Sequence, residues 1–293
     1  MNTSPILVTG ATGKQGNATA RRLLADGRPV RALVRDATAP AAAALAAAGA
    51  QLAVGDFDDP ASLPPALDGV AAVFAIPPIE AALGKTDLEE TRVRTLIDAV
   101  VAAGVEQVVL STLATASTDL PGAVAKARIE RYLQERVATA TVLRPVRFMT
   151  NYINPPGTGI DGISGGVHRH LFPPHQPMQI IALEDIAEFG ALAFADPARF
   201  AGRTLELAGD EPTPVEAAAA ISTATGIPVR YEQLTDEEAA AVGPGIVEAK
   251  ESWESGSRWH ADVEALRVIH PGLRTFTDWL AQSGAAALRE HLS

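Results

Sequence analysis

Short apolar runs alternate with longer amphipathic or alanine-rich stretches through the first half of the chain. Apolar runs bounded by glycine, proline or polar residues predict buried strands, and longer stretches closed by glycine predict helices. The predicted strands are 5–9, 30–34, 51–54, 71–76, 106–110 and 139–143. The predicted helices are 15–25, 39–48, 60–67 (capped by Asp59), 89–103 and 123–135.

Strands that alternate with helices in this way predict a parallel sheet with helices on both faces. Right-handed crossovers make such a sheet doubly wound, the Rossmann-type α/β fold. We therefore expect residues 1–150 to form a Rossmann-type domain.

The pattern changes after Pro145. Residues 151–177 are rich in glycine, proline and histidine without a clear period, so we expect a long loop near the ligand. Further predicted elements are helix 185–195, strands 203–208 and 229–234, capping boxes at Thr213–Glu216 and Thr235–Glu238, and packed Trp253, Trp259 and Trp279. Residues 151–293 are therefore expected to form a smaller, mixed α/β lobe, interleaved with the sheet domain, for a substrate or partner.

Composition excludes several classes of function. The 293 residues include no cysteine, which rules out disulfides, thiol nucleophiles and cysteine metal sites. A formal net charge of −11 disfavours binding to nucleic acid. Neither a bilayer-spanning apolar run nor a secretory signal is evident, so we expect a cytoplasmic protein that does not bind membranes.

The segment from Val8 to Gly16 has glycines at positions 10, 13 and 16, between a predicted strand and a predicted helix. In that context Gly10 allows a tight turn, Gly13 lets the backbone approach a pyrophosphate, and Gly16 lets the helix pack closely on the strand. The helix N-terminus adds amide donors and partial positive charge, and Thr12 and Gln15 add side-chain donors. The segment predicts a nicotinamide-dinucleotide site.

The choice of dinucleotide depends on the end of the second strand. Arg35 follows that strand and suits the 2′-phosphate of NADP(H), and Lys14 adds positive charge. A shift of one residue would instead present Asp36, a carboxylate typical of NAD(H) sites. NADP(H) is therefore favoured, and NAD(H) stays possible.

Other predicted cofactor contacts follow later strands. Asp56 and Phe57 come after the third strand, where they either meet the adenine ring or form a simple turn. The remaining contacts predicted at strand ends are Ile76, Pro77 and Pro145.

Several motifs together resemble the NmrA-like family of atypical short-chain dehydrogenases, and the resemblance covers nearly the whole chain. They are Val8–Gly16, Val34-Arg35-Asp36, Gly55-Asp56, Lys126-x-x-x-Glu130, Leu143-Arg144-Pro145 with Phe148 and Asn151, Leu183–Ile186, Leu207–Asp210 and Trp279-Leu280. The family includes NAD(P)H-dependent reductases of quinones and phenylpropanoids, and redox sensors that bind dinucleotides without known turnover.

The resemblance implies that Lys126 binds the nicotinamide ribose. In ordinary short-chain dehydrogenases a tyrosine four residues earlier acts with this lysine, but Gly122 stands there. Tyr132 lies ~240° around the helix from Lys126 and does not replace it. Ser111 or Thr112 lies near the usual serine, although Leu113 is another possible match. The candidate proton donors are therefore water, Lys126 and Tyr152.

Two functions stay open. The first is NAD(P)H-dependent reduction of a quinone or conjugated carbonyl, with Phe148, Met149 and Tyr152 either lining the substrate pocket or packing in a core. The second is a non-catalytic sensor of NADP(H) that binds a regulatory protein. We expect no metal site, because His168, His170 and His175 lack a convincing set of additional ligands.

Overall fold

The computed structural model describes residues 4–78, 85–116, 121–155 and 161–293. The chain divides into two compact units. The sheet unit contains Met1–Leu113, Thr118–Arg144 and Ile186–Leu205, and the second unit contains Ala114–Ser117, Pro145–Asp185 and Glu206–Ser293. The cofactor role expected for 1–150 and the substrate or partner role expected for 151–293 stay predictions.

The described elements follow one another in a largely alternating order. The strands are β1 Ile6–Val8, β2 Val30–Val34, β3 Gln51–Val54, β4 Ala72–Ala75, β5 Gln107–Ser111, β6 Thr139–Pro145, β7 Arg147–Phe148, β8 Ile163–Ser164, β9 Val167–His170, β10 Ile180–Ile181, β11 Thr204–Leu207 and β12 Arg230–Gln233. The α-helices are α1 Lys14–Ala25, α2 Pro40–Ala47, α3 Leu63–Leu67, α4 Thr86–Ala102, α5 Pro121–Gln134, α6 Leu183–Ala195, α7 Pro197–Phe200, α8 Pro214–Thr225, α9 Asp236–Val242, α10 Pro244–Glu254, α11 Val263–Ile269, α12 Phe276–Trp279 and α13 Ala285–Leu292. Tighter 3₁₀ turns span Pro60–Ser62 and Met149–Ile153, and a π-helical turn spans Leu280–Gly284.

The central sheet has the strand order β3-β2-β1-β4-β5-β6-β11 in the described part of the chain. Strands β1 to β6 pair in parallel, with Ile6 opposite Val30 on one side and Ala72 on the other. Successive strands move outward in opposite directions from β1 and β4, so the sheet is doubly wound, as predicted. Ligands of such sheets bind at this switch point, outside the carboxyl ends of the strands.

Apolar side chains explain why these segments form the sheet. Strands β1 and β4 are buried along their whole length, as expected for a parallel sheet covered on both faces. A core cluster packs strand residues such as Leu7, Val73 and Val108 against Leu96 and Ile129 of helices α4 and α5. This core holds the carboxyl ends of the strands in register.

Strand β11 corrects the prediction for residues 203–208. The sequence pattern assigns this strand to the smaller lobe, whereas the structure adds it to the central sheet beside β6. The backbone amide of Val142 donates to the carbonyl of Arg203, 2.8 Å away. An edge strand that is half exposed carries no local signal for the sheet it joins.

Residues 151–177 are not the structureless loop expected from the sequence. Within their described part they contain most of a 3₁₀ turn and the antiparallel pair β8–β9. In β9, His168 and His170 face inward and Arg169 faces solvent. A strand whose inward residues are polar shows no apolar periodicity, which is why the pattern missed it.

The second unit contains the pair β7–β10 and the sheet β12-β9-β8. Its core includes Trp253 and Trp279, and Trp259 packs against that core, as predicted. Both predicted capping boxes, Thr213–Glu216 and Thr235–Glu238, are present. In the sheet unit the side-chain cap expected from Asp59 is not formed; its carbonyl instead accepts from the Ser62 amide at 3.0 Å.

No helix in the described ranges has both the length and the apolar character that crossing a bilayer requires.

Candidate functional site

The glycine-rich turn lies directly after β1 in the sheet unit. Gly10 has φ +57°, a left-handed conformation that favours glycine, and its carbonyl accepts from the Gly13 amide at 2.9 Å. Gly13 is the N-cap of α1 and offers no side-chain cap to the first-turn amides. Gly10, Thr12, Gly13 and Lys14 are exposed. The turn therefore presents backbone donors to solvent at the positive end of a helix, which is the chemistry a diphosphate needs.

Gly16 lies in the first turns of α1 and packs against the backbone of the preceding turn. A Cβ at this position would overlap the Gly10 carbonyl oxygen and would lie 2.6 Å from its carbon and 2.9 Å from the Ala11 Cα. Only glycine lets the helix start this close to the strand. This is the close packing predicted from the spacing of the three glycines.

Thr9 and Ile76, which follow β1 and β4, are hydrogen-bonded to each other at the switch point of the sheet. The Thr9 hydroxyl accepts from the Ile76 amide at 2.8 Å and donates to its carbonyl at 3.2 Å. A Cβ on Gly10 would lie 3.4 Å from the Ile76 Cβ. The structure thus places Ile76 beside the turn, and Pro77, the next residue, is buried.

Gln15 connects the glycine turn to the end of β5. Its amide nitrogen contacts the hydroxyl of Ser111, and both side chains are buried. The neighbouring Thr112 hydroxyl donates to Glu130 at 2.6 Å, and Arg144 also binds that carboxylate. Of the residues considered for the usual serine position, Ser111 is therefore the one in contact with the turn.

Arg35 is the first residue after β2 and is exposed. The neighbouring Asp36 carboxylate accepts from the Thr38 amide at 2.7 Å and from its hydroxyl at 2.6 Å. These hydrogen bonds, the hydroxyl first, lower the pKa of Asp36. One oxygen of the carboxylate, Oδ1, is thus engaged within its own turn. The exposed Arg35 also interacts electrostatically with the Asp58 carboxylate.

Asp56 and Phe57 form a local turn after β3. The Asp56 carboxylate accepts from the Asp58 amide at 3.0 Å, and Phe57 is half-buried against the core of the sheet unit. These contacts fit the turn alternative for Asp56. The contact of both residues with adenine stays a prediction.

Lys126 lies in the second turn of α5, and its ammonium pairs with the Glu89 carboxylate of α4. Both residues are buried, Glu89 completely. Glu89 is not among the site residues predicted from the sequence, because the hydrophobic pattern begins the helix at that residue. The available signal is that Glu89 is the one acidic member of the buried stripe formed with Val93, Leu96 and Val100 in the described helix.

Tyr132 points away from Lys126, as the helical geometry predicts. Its hydroxyl donates to Asp98 at 2.6 Å, and the guanidinium groups of Arg94 and Arg136 lie 4.2 and 3.5 Å from its ring centre. Gly122 is part of the same helix as Lys126. Tyr132 therefore does not supply the hydroxyl that Gly122 lacks.

The remaining candidates belong to the second unit. Pro145 is buried and Phe148 is half-buried. Met149 and Tyr152 have no exposed surface and pack in the core of that unit. The Tyr152 ring contacts the ring of Phe276. Burial also raises the pKa of the Tyr152 hydroxyl. These placements favour core packing for both residues and make Tyr152 a poor proton donor.

A buried polar cluster surrounds Arg147 in the second unit. Arg147 binds Asp161 at 2.7 Å and lies 4.3 Å from the ring centre of Tyr152. His168 and His170 are buried beside this pair, whereas His175 is exposed. Among the described residues, no group of three or more histidine or acidic side chains is arranged to hold a metal ion.

Burial lowers the pKa of His170 and holds the pKa of His168 well below its usual value. The positive charge of Arg147 lowers both pKa values further. For His170, burial and Arg147 together outweigh Asp161, which raises the pKa. The folded protein therefore protonates both imidazoles at a lower pH than the unfolded chain, in which histidine titrates near pH ~6.5. The free energy of unfolding is therefore retained above that pH and falls below it.

We expect the free energy of unfolding to decrease by up to about 1 kcal/mol per pH unit below pH ~6.5, mainly through His168. Urea unfolding between pH 7.5 and 5.5, followed by tryptophan fluorescence, measures this, because all three tryptophans lie in the second unit. His168→Gln should reduce the pH dependence, and His175→Gln should not change it. An identical slope in the wild type and His168→Gln would contradict the assignment.

Comparison with known proteins identifies the family. A family model described as the NmrA-like family matches residues 2–265. The chain belongs to the NmrA-like family. The resemblance found in the sequence is thus confirmed over most of its length.

Relatives of this NmrA-like chain include reductases. It is 32% identical over 249 residues to an NAD(P)H azoreductase from Xenophilus azovorans, covering 83% of this chain and 82% of that protein. It is 30% identical over 295 residues to the (4-alkanoyl-5-oxo-2,5-dihydrofuran-3-yl)methyl phosphate reductase of Streptomyces griseus, covering 96% and 98%. The crystal structure of an NADPH-dependent quinone oxidoreductase from Escherichia coli has a TM-score of 0.72 and 26% identity, covering 94% and 98%.

Proposed function

We propose that this NmrA-like protein is an NAD(P)H-dependent reductase of a quinone or a related conjugated carbonyl, with NADP(H) as the preferred cofactor. The observation that carries the proposal is the backbone turn from Gly10 to Gly16. It combines a left-handed Gly10, an exposed helix N-terminus and a Gly16 that leaves no room for a Cβ. This is a fit for a diphosphate rather than an ordinary strand-to-helix connection.

The side chains around the turn suggest how the cofactor would be held. The proposed contacts are Gly10, Thr12, Gly13, Lys14, Gln15 and Gly16 for the diphosphate, Arg35 for the 2′-phosphate, Asp56 and Phe57 for adenine, Ile76, Pro77 and Pro145 at the strand ends, and Lys126 for the nicotinamide ribose. When bound, the reduced cofactor supplies the hydride and its two electrons. Lys126 and Ser111 would orient the reacting end of the cofactor.

The acceptor class follows from the residue that is missing. A simple ketone needs a protein acid to neutralise the oxyanion, and Gly122 offers none. A quinone that gains a hydride becomes a stabilised hydroquinone anion, which takes its remaining proton from water. The named relatives reduce azo, butenolide and quinone compounds, all of them conjugated acceptors, which supports the same class.

The test is oxidation of NADPH, followed by its absorbance, in the presence of a panel of quinones, azo dyes and unsaturated lactones. We expect turnover with at least one quinone, and a decrease of kcat/KM by about tenfold or more in Lys126→Ala because the ribose is no longer held. If no acceptor is reduced faster by the wild type than by Lys126→Ala, the proposal is wrong.

Gly122 also supports a second candidate, a sensor of NADP(H) that binds a regulatory protein. A sensor distinguishes oxidised from reduced cofactor by affinity or by the partner it binds. Calorimetry with NADP⁺ and NADPH separates the two proposals: a sensor shows unequal affinities without acceptor turnover. In either role we propose that the protein is located in the cytoplasm, where both forms of the cofactor are available.

A further inference from the structure

Two neighbouring ion pairs join α4 to α5, and they differ in burial. Glu90 accepts from Arg128 at 2.7 Å, with side chains that are 15% and 45% exposed. Glu89 pairs with Lys126 one residue away on α4, where the exposed fractions are 1% and 9%. The first pair is at the surface of the helix pair and the second is inside it.

Stability does not explain the inner pair. Taking two charges out of water costs free energy that their attraction often fails to repay, and apolar replacements of buried pairs are frequently neutral or stabilising. The two helices are already held together by a shared core that includes Val93 and Ile129, and by the outer pair. A buried pair at this place needs another explanation.

The position of the pair supplies one. Glu89 lies in the first turn of the helix that follows β4, and Lys126 lies in the second turn of the helix that follows β5. Helices that follow parallel strands begin at the carboxyl edge of the sheet, where the glycine turn also lies. The pair is thus located on the functional edge of the sheet unit.

We infer that Glu89 is a positioning residue that holds the ammonium of Lys126 in place for the cofactor; the inference rests on the proposed function. The ammonium of a lysine is carried on a flexible four-carbon stem, so it binds a ligand weakly unless its orientation is fixed. Because Gly122 removes the usual tyrosine, Lys126 acts without a second catalytic side chain on its helix face. A fixed buried carboxylate compensates by limiting the lysine to one orientation.

The experiment is a double-mutant cycle between Glu89→Gln and Lys126→Met, with Glu90→Gln as the control. Glutamine keeps the size of glutamate and removes its charge. We expect Glu89→Gln to lower kcat/KM for the quinone by about 10- to 100-fold, since a small displacement of a positioned group has effects of this size. Glu90→Gln should stay within about twofold, because exposed pairs contribute little.

The cycle separates positioning from folding. In the Lys126→Met background, Glu89→Gln should cause no further loss of kcat/KM, whereas a purely structural ion pair would show its coupling in the stability of the variants and not in the kcat/KM of the folded protein. The inference is overturned if Glu89→Gln has equal effects in the two backgrounds, or if it behaves like Glu90→Gln. Melting temperatures of all variants report any loss of stability separately.

The same cycle is measured on the Kd for NADPH by calorimetry. Coupling is expected here too, because Lys126 is proposed to bind the nicotinamide ribose. If the wild type binds NADPH but reduces no acceptor, the reductase proposal fails while this measurement still decides the role of Glu89. Absence of coupling in Kd and in turnover would leave Glu89 with no positioning role.

Discussion

Replacing Gly16 with alanine is expected to weaken the binding of NADPH and NADH by roughly 100-fold or more. The added Cβ would overlap the Gly10 carbonyl and lie 2.6 Å from its carbon, so α1 must move away from the turn. Because the helix start and the turn together present the amide donors, the movement removes the diphosphate site for both cofactors. Calorimetric titration with each dinucleotide measures the effect.

Two further glycines provide a milder substitution and a control for this experiment. A Cβ at Gly13 would meet the Gly10 oxygen at 3.3 Å, so Gly13→Ala should have a smaller effect. At Gly245 in α10 a Cβ would meet nothing within 4 Å, and Gly245→Ala is the control for the substitution itself. Circular dichroism shows whether each variant is folded. Wild-type affinity in a folded Gly16→Ala protein would show that the turn does not hold the cofactor.

Replacing Arg35 with alanine is expected to raise the Kd for NADPH by about 10- to 100-fold and to leave the Kd for NADH nearly unchanged. The guanidinium is exposed at the end of β2, and the 2′-phosphate is present only in NADP(H). The Asp36 carboxylate is anchored in its own turn through Oδ1, which accepts both hydrogen bonds from Thr38.

Arg21→Ala provides the matched control for Arg35. Arg21 is an exposed arginine of the same unit whose side chain donates to Asn17 at 2.9 Å, and its removal changes the net charge equally. A decrease in NADPH affinity that is equal in the two variants would indicate a general charge effect. Equal losses for NADPH and NADH in Arg35→Ala would mean that Arg35 does not read the 2′-phosphate.

Most of the sheet unit is predictable from its sequence because its signals are local. Strands β2 and β3 have the predicted bounds, since a short apolar run between turn residues specifies a strand without distant information. Only β2 is buried, whereas β3 is an edge strand that is exposed at both ends. The same holds for the capping boxes and for the glycine turn, where each glycine meets a steric requirement within seven residues of chain. The candidate diphosphate site is therefore the part of the site that sequence analysis describes best.

The other features depend on contacts between distant parts of the chain. The partner of Lys126 is 37 residues away, and Ser111 meets Gln15 across 96 residues. Likewise, only the folded chain shows that β11 joins β6 and that the histidines of β9 face inward. The sequence determined the fold class, the glycine turn and Arg35 at a strand end, because steric and hydrophobic preferences act over a few residues. The tertiary structure decided which side chains meet, because strand order and helix packing set those distances.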